Sequence, residues 1–177
     1  FLTDKNFKTK QTAHLHQILK KHLLNQIIKD VRQYEFDRIV EIETRDYLLI
    51  GELFGKGNLI LVNKPDRKII SALILRSWKD RSILPKREYV YPPSKINPFK
   101  LNQSELEKYF GKKGAVVVLA VNFGFGGELA RDICYKTEID VNSKRIDVSR
   151  LHKFLKRIHL EFKELENVNE KLEKEFE

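Results

Sequence analysis

An adjacent acid–base pair, Asp37-Arg38, stands between Phe36 and Ile39 in a stretch dense in apolar residues. A carboxylate and a guanidinium in that setting have two chemical uses. The planar fork of arginine can hold a phosphate or a base edge while the aspartate orients it or accepts from a base. Equally, the two can form an ion pair that serves only the fold. If the stretch is a strand, successive side chains point to opposite faces, so one of the pair is expected to face inward, where an unpaired charge is costly. The residues alone leave both uses open.

Other residues extend the same chemistry. Lys20, Lys21, Arg76, Lys79, Arg81, Lys86 and Arg87 are candidates for a phosphate-tracking surface, and we single out Lys20, Lys21, Arg76 and Arg81. Binding through such a set weakens as salt rises, because each contact releases condensed counterions. Trp78, between Arg76 and Arg81, would either stack on a base or cover the core. The run Phe123-Gly-Phe-Gly-Gly127 offers Gly124, Gly126 and Gly127, whose backbone could take positive φ and bring N–H groups up to a phosphate. The same run also fits an ordinary turn between helices.

Catalytic chemistry finds no such footing. His14, His16, His22, His152 and His159 do not converge with cysteine or paired carboxylates at metal-ligand spacing. No Ser/His/Asp order, phosphate-binding loop or dinucleotide fingerprint is present. Neither enzyme activity, metal nor cofactor is expected. Cys134 is the single cysteine, so there is no disulfide framework; it falls on the apolar face of a predicted helix and reads as a buried thiol in a reducing, cytoplasmic setting.

Charge is informative once divided. Residues 1–100 hold 20 Lys and Arg against 11 Asp and Glu, whereas residues 101–177 hold 14 of each. The whole net charge of +9 therefore belongs to the first segment, which points to a polyanionic partner. At 177 residues, with 41% hydrophobic and 10% aromatic residues, the chain can hold one mid-sized domain or two small ones. No run approaches the roughly 20 apolar residues that cross a bilayer, so no membrane partner is expected. Lacking methionine and starting at Phe1, the chain reads as an internal fragment.

Three kinds of element must position these residues. Leu15, Ile18, Leu19, Leu23 and Leu24 predict an amphipathic helix over 11–25, with Lys20, Lys21 and His22 on its polar side. Five β-type segments follow, at 27–34, 36–44, 47–54, 58–63 and 68–75, separated by Arg45-Asp46, Gly55-Lys56-Gly57 and Lys64-Pro-Asp-Arg67. Connections this short predict an antiparallel meander. The stretch Tyr89-Val-Tyr-Pro-Pro93 reads as an extended exit. Beyond it, Ser104-Glu-Leu-Glu107 has the form of a capping box, 115–121 and 128–135 read as helices around the glycine run, and the fold class is α+β. Last, Leu151, Leu155, Ile158, Phe162, Leu165, Asn169, Leu172 and Phe176 repeat at four and three residues, the seam of a coiled coil. That seam must pair with missing sequence or with another chain.

Several of these stretches, in order, resemble the N-terminal part of the NFACT family, the RqcH/NEMF-type ribosome quality control factors. The helix ending Leu19-Lys-Lys-His-Leu23 is similar to that family's "LRKHL" helix, with Lys20 where arginine is usual. Asp37-Arg38-Ile39 resembles its "DRI" strand, and Glu52-Leu-Phe-Gly-Lys-Gly-Asn58 resembles its "ELFGKGN" hairpin. Leu84-Pro85, Tyr89 and Pro92-Pro93 match the exit, and Gly126-Gly-Glu-Leu-Ala-Arg-Asp-Ile-Cys134 looks like its "YAEEIC" helix.

The resemblance implies a formamidopyrimidine-DNA glycosylase-like NFACT-N domain over 1–98, a helix-hairpin-helix domain over 99–148 and the first helix of a coiled-coil arm over 149–177. It also implies binding to a large ribosomal subunit obstructed by peptidyl-tRNA, and recruitment of tRNA for C-terminal tailing, with Asp37 and Arg38 contacting tRNA. Two rivals stand beside it. A DNA-glycosylase-like enzyme would need a nucleophilic N-terminus with an acid beside it, which Phe1-Leu2-Thr3 does not supply. A fibronectin-binding surface adhesin, a label some relatives carry, fits neither the lone cysteine nor the missing secretory signal.

Overall fold

The computed structural model describes residues 14–175, with side chains through residue 165. The chain is α+β and divides into two units, Phe1–Ser94 and Lys95–Glu177.

In the first unit, helix α1 spans His14–Leu23 and buries Leu15; the expected first turn from Gln11 lies outside the described residues. Strands β1 (Asp30–Gln33), β2 (Ile39–Glu43), β3 (Tyr47–Glu52), β4 (Asn58–Asn63) and β5 (Ile69–Ala72) form a five-stranded antiparallel sheet in chain order. The meander read from the short connections is therefore what forms. Its first strand is shorter than the sequence suggests: Ile27 and Ile28 lie outside it and are exposed, as is Val31 within it.

The two faces of the sheet differ. Ile39, Ile50, Ile60 and Ala72 are cross-strand partners or diagonal neighbours on one face, which packs with Leu48, Val62, Ile69, Ile83 and Tyr89 as the core of this unit. The exit segment runs antiparallel along the outer edge of β5, with a bridge between Lys68 and Glu88. Ile69 donates its N–H to Arg87 O and accepts from Lys86 N–H, both at 2.8 Å, and Tyr89 N–H donates to Arg67 O at 2.8 Å. Tyr89 is thereby carried into the core and Tyr91 against Tyr34, stacked at 3.7 Å between centroids. Between β5 and this exit lies a small hairpin, β6 (Arg76–Ser77) and β7 (Ser82–Ile83), in a stretch to which the sequence reading assigned no element.

In the second unit, a 3-10 turn at Pro98–Lys100 precedes α2 (Gln103–Glu107). The capping box is present but displaced: Asn102, not Ser104, is the cap, its side chain accepting from Glu105 N–H while the Glu105 carboxylate accepts from Asn102 N–H. Helix α3 starts at Ala115–Val117 and continues as a π-helical turn over Val118–Asn122. Helix α4 spans Gly127–Lys136 and α5 spans Val148–Glu175. Phe123, Leu119, Ile133, Cys134, Leu151 and Leu155 centre the core here. Burial also pushes the Cys134 thiol above its ordinary pKa, which suits an unreactive packing group.

Of the heptad seam, Leu151 and Leu155 are buried in this core, whereas Phe162 and Leu165 are more than half exposed. Asn169, Leu172 and Phe176 lie outside the residues whose side chains are described. No helix among the described residues is long and apolar enough to cross a membrane.

Candidate nucleic-acid interface

Asp37 and Arg38 are not within a strand. The second strand begins at Ile39, and the pair sits in the β1–β2 loop, where Glu35 takes a positive φ of 46°. The loop is nonetheless ordered by the fold. Asp37 N–H donates to Tyr34 O at 3.2 Å, Gln33 Nε2 donates to Asp37 O at 2.7 Å, and Asp37 Oδ1 accepts from Arg38 N–H at 2.8 Å. Asp37 is buried, and its other oxygen, Oδ2, meets no donor among the described residues. Arg38 is exposed and its guanidinium makes no ion pair among them. One residue of the pair thus faces inward and one outward, as alternation suggested, but both lie in a loop rather than a strand. They are not paired with each other side chain to side chain.

The sheet sets a second loop beside this one. Ile39 is register partner of Glu52, and Glu52 of Asn58, so the β1–β2 loop and the β3–β4 hairpin emerge from the same end. A direct bond joins them, Leu53 N–H donating to Arg38 O at 2.7 Å. The hairpin presents Lys56, exposed, between Gly55 and Gly57. Next to it, Asn58 pins the β5–β6 segment: its Nδ2 donates to Ile74 O at 3.0 Å and its Oδ1 accepts from Ile74 N–H at 2.9 Å. That clamp brings Arg76 and Trp78 up to the hairpin. Between them lies a cleft of about 200 Å³ bordered by Glu52, Phe54, Lys56, Asn58, Arg76 and Trp78.

Trp78 is about half exposed and also borders a second, broader cleft with Lys79 and Arg87. It is therefore at most a partial cover for the core, and the part of its ring not under Arg81 is open to solvent at the clefts. Lys56 and Phe54 were not singled out from sequence. Their signal was the glycine-flanked hairpin itself, read there only as a turn.

Arg81 has a different role from the surface cation expected. Both terminal guanidinium nitrogens, Nη1 and Nη2, reach Glu52, a carboxylate buried at the end of β3, and Arg81 Nε donates to Val90 O at 2.6 Å. Tyr89 Oη donates to the same Glu52 at 2.9 Å. Burial first, and then the Glu52 charge, push the Tyr89 phenol well above its ordinary pKa. A parallel arrangement holds the other buried carboxylate on this face: Glu41 accepts from Arg32 Nε at 2.8 Å and from Tyr91 Oη. A buried charge persists when paired and hydrogen-bonded in this way. Arg81 is thus set apart from the exposed cations, though only one side chain away from Trp78, over which its guanidinium lies at 5.8 Å.

The remaining expected contacts fall elsewhere. Lys20 and Lys21 are exposed on α1, and His22 Nδ1 hydrogen-bonds Tyr47 Oη at 3.0 Å. In the second unit Gly124 and Gly126 have φ of +73° and +79°. Gly126 N–H is already engaged, donating to Ala120 O at 3.3 Å, as Phe125 N–H does to Leu119 O at 3.2 Å. The π-helical turn supplies both carbonyls, so this run is less open to an anion than its glycines suggested. Gly124 answers to packing as well: a Cβ there would lie 2.9 Å from Lys95 Cγ. Among the described residues no three His, Cys, Asp or Glu side chains gather as a metal site.

A family model described as NFACT N-terminal and middle domains matches residues 1–176. The protein named Archaeal Rqc2 homolog aRqcH, from Methanocaldococcus jannaschii, is 37% identical over 158 residues, 82% of this chain and 23% of the relative. The Rqc2 homolog RqcH of Streptococcus suis is 36% identical over 104 residues, covering 50% of this chain and 19% of its own. The chain thus spans about a quarter or less of these relatives. Among solved structures, the N-terminal part of the fibronectin/fibrinogen-binding protein from Streptococcus suis aligns with a TM-score of 0.58 at 26% identity, over 86% of this chain and 62% of that one. The fibrinogen-binding protein from Staphylococcus aureus aligns with a TM-score of 0.59 at 26% identity, over 83% and 57%.

Proposed function

Since this chain belongs to the NFACT family, we propose that it is the RNA-binding portion of a ribosome quality control factor and carries out no catalysis itself. Its partners in this reading are the large ribosomal subunit, peptidyl-tRNA held there, and a recruited tRNA used for C-terminal tailing in the cytoplasm. The observation that carries it is the end of the sheet in the first unit. Arg38 is exposed and unpaired among the described residues, tied through Leu53 to the hairpin of Lys56, with Arg76 and Trp78 on the far side of the cleft.

That combination suits unpaired RNA. Cations take the phosphates, the indole takes a base face, and a rigid hairpin keeps them at fixed separation. Asp37 positions Arg38 by accepting its N–H, and its own burial leaves the RNA contact to Arg38. Lys20 and Lys21 extend the phosphate contacts. The basic character of residues 1–100 gives the encounter its long-range attraction.

The second unit is read as a helix-hairpin-helix domain over 99–148, with Gly124 and Gly127 at its turn, their N–H groups free of backbone acceptors among the described residues. Helix α5 begins a coiled-coil arm whose exposed Phe162 and Leu165 await a partner helix. The test is affinity purification of the intact protein followed by RNA sequencing, wild type against Asp37→Ala/Arg38→Ala. Enrichment of large-subunit RNA and tRNA by the wild type, with tRNA depleted in the variant, supports the reading. Absence of both RNAs from the wild-type eluate rejects it.

A further inference from the structure

Residues 101–177 balance 14 Lys and Arg against 14 Asp and Glu, yet their cations are unevenly placed. Two loops that are 30 residues apart in sequence run side by side: Gly111 N–H donates to Lys144 O at 2.6 Å, Ala115 N–H to Ser143 O at 2.9 Å, and Val116 N–H to Val141 O at 3.0 Å. Between the first two of these bonds, the Gly111-Lys-Lys-Gly114 turn bulges outward and displays Lys112 and Lys113. Facing them across the seam are Lys144 and Arg145, also exposed.

The glycines make this seam possible. Gly111 has φ +105°, a conformation that side-chain-bearing residues rarely adopt, and a Cβ on Gly114 would stand 3.1 Å from Val141 O and 3.2 Å from Asn142 Cα. The turn is held against the second loop by its own backbone, so the four cations are presented together without a side chain binding them in place.

None of the four makes an ion pair among the described residues. The stretches 110–114 and 141–146 contain no acid. The neighbouring acids gather on one side of the seam, where Glu138, Asp140 and Asp147 border a notch with Arg145, and each has a partner other than the four cations. Glu138 pairs with Arg150 at 2.6 Å, Asp140 Oδ1 accepts from Asn142 N–H at 2.8 Å, and Asp147 Oδ1 accepts from Arg150 N–H at 3.1 Å. Glu107 shares a notch of about 280 Å³ with Lys144 and Arg145 without bonding either. Four exposed cations without an ion pair, on a backbone-fixed seam, repel one another, and a polyanion relieves that repulsion.

We infer that the seam formed by Lys112, Lys113, Lys144 and Arg145 is a second phosphate-backbone contact surface for folded RNA, separate from the cleft of the first unit. An acidic protein is the less fitting partner. Protein interfaces centre on apolar and aromatic anchors, and none of the large exposed hydrophobics falls within these two stretches. The inference rests on the RNA-binding reading above and adds where the second unit grips.

The test uses the intact protein and fluorescently labelled bulk tRNA titrated at several salt concentrations. One variant carries Lys112→Gln, Lys113→Gln, Lys144→Gln and Arg145→Gln. A control carries Lys100→Gln, Lys108→Gln, Lys153→Gln and Lys156→Gln, the same loss of charge at exposed positions elsewhere in the unit. The seam variant is expected to bind about tenfold more weakly near physiological salt and to lose roughly two to three from the slope of log K against log salt. The control should lose far less, with thermal unfolding of both unchanged. Equal losses in the two variants, or none in either, overturn the seam while leaving wild-type tRNA binding intact. Loss of binding to polyglutamate with tRNA affinity retained also overturns it, in favour of an acidic protein. No tRNA binding by the wild type removes the RNA-binding reading and the seam together.

Discussion

The N–H of Leu53 donates to the carbonyl of Arg38 at 2.7 Å, so the loop carrying the acid–base pair cannot move independently of the hairpin carrying Lys56. Because this link is backbone to backbone, the Arg38 side chain can be removed without disturbing it. Arg38→Ala is expected to leave the urea midpoint within error, to weaken tRNA binding severalfold and to lower the salt slope by about one. Asp37→Ala should differ in kind. It removes the acceptor for Arg38 N–H and is expected to cost about 1 kcal/mol of stability in addition to binding. Urea unfolding alongside tRNA titration separates the two effects.

Arg81 and Arg76 give the opposite contrast. Arg81 is paired with buried Glu52, whereas Arg76 is exposed at the cleft. Removing one partner of a buried pair strands the other charge, a loss of about 3–5 kcal/mol. Arg81→Ala should therefore unfold the first unit much more readily, while Arg76→Ala should leave its stability within about 0.5 kcal/mol and reduce RNA affinity. Thermal melts of the two variants decide the matter. Similar melting temperatures would mean that Glu52 does not depend on Arg81.

A pH dependence follows from Tyr89. Its pKa is raised above the ordinary value of 10.0 by burial and by Glu52, so the folded state keeps the phenol protonated at pH values where the unfolded chain would release the proton. The stability it contributes is complete below about pH 10 and is lost as pH climbs toward the raised value. Urea unfolding between pH 8 and 11 should show stability falling above pH 10. Tyr89→Phe should be less stable at pH 8 by about 1 kcal/mol and show a shallower alkaline decline. Tyr91, raised mainly by burial, keeps that decline from vanishing.

Gly124 is held at φ +73° with Lys95 against it. Gly124→Ala should destabilise the second unit by about 1–2 kcal/mol, since the left-handed conformation is unfavourable to a Cβ. The Lys95 stem is flexible and can shift, so Lys95→Ala in the same background should recover little. A recovery of most of the loss would place the cost in the contact rather than in the backbone. Chemical denaturation of the single and double variants measures both.

Much of this molecule is written locally. Alternating apolar residues and short polar connections determine the five-stranded meander, because period-two burial and tight turns leave no other pairing. Seam spacing determines α5, and helical spacing places Cys134 on the inner face of α4. Where local signals overlap, they misplace detail. Asn102 and Ser104 each precede a glutamate by three residues, and only the packing of α2 chooses Asn102 as cap. The β1–β2 turn contains neither glycine nor proline, so Asp37-Arg38 reads as strand, although Glu35 bears the positive φ that reverses the chain.

Tertiary structure decided what sequence distance conceals. Arg81 finds Glu52 across 29 residues, and the two loops of the cationic seam meet across about 30. Composition counts those charges but cannot say which are neutralised, since an ion pair depends on where the backbone carries each side chain. The apolar stripe of α5 is likewise periodic throughout, yet burial of Leu151 and exposure of Leu165 are set by what stands opposite them. Residue types and spacing determine which groups can interact; the fold determines which of them are left over, and those that are left over are available to bind.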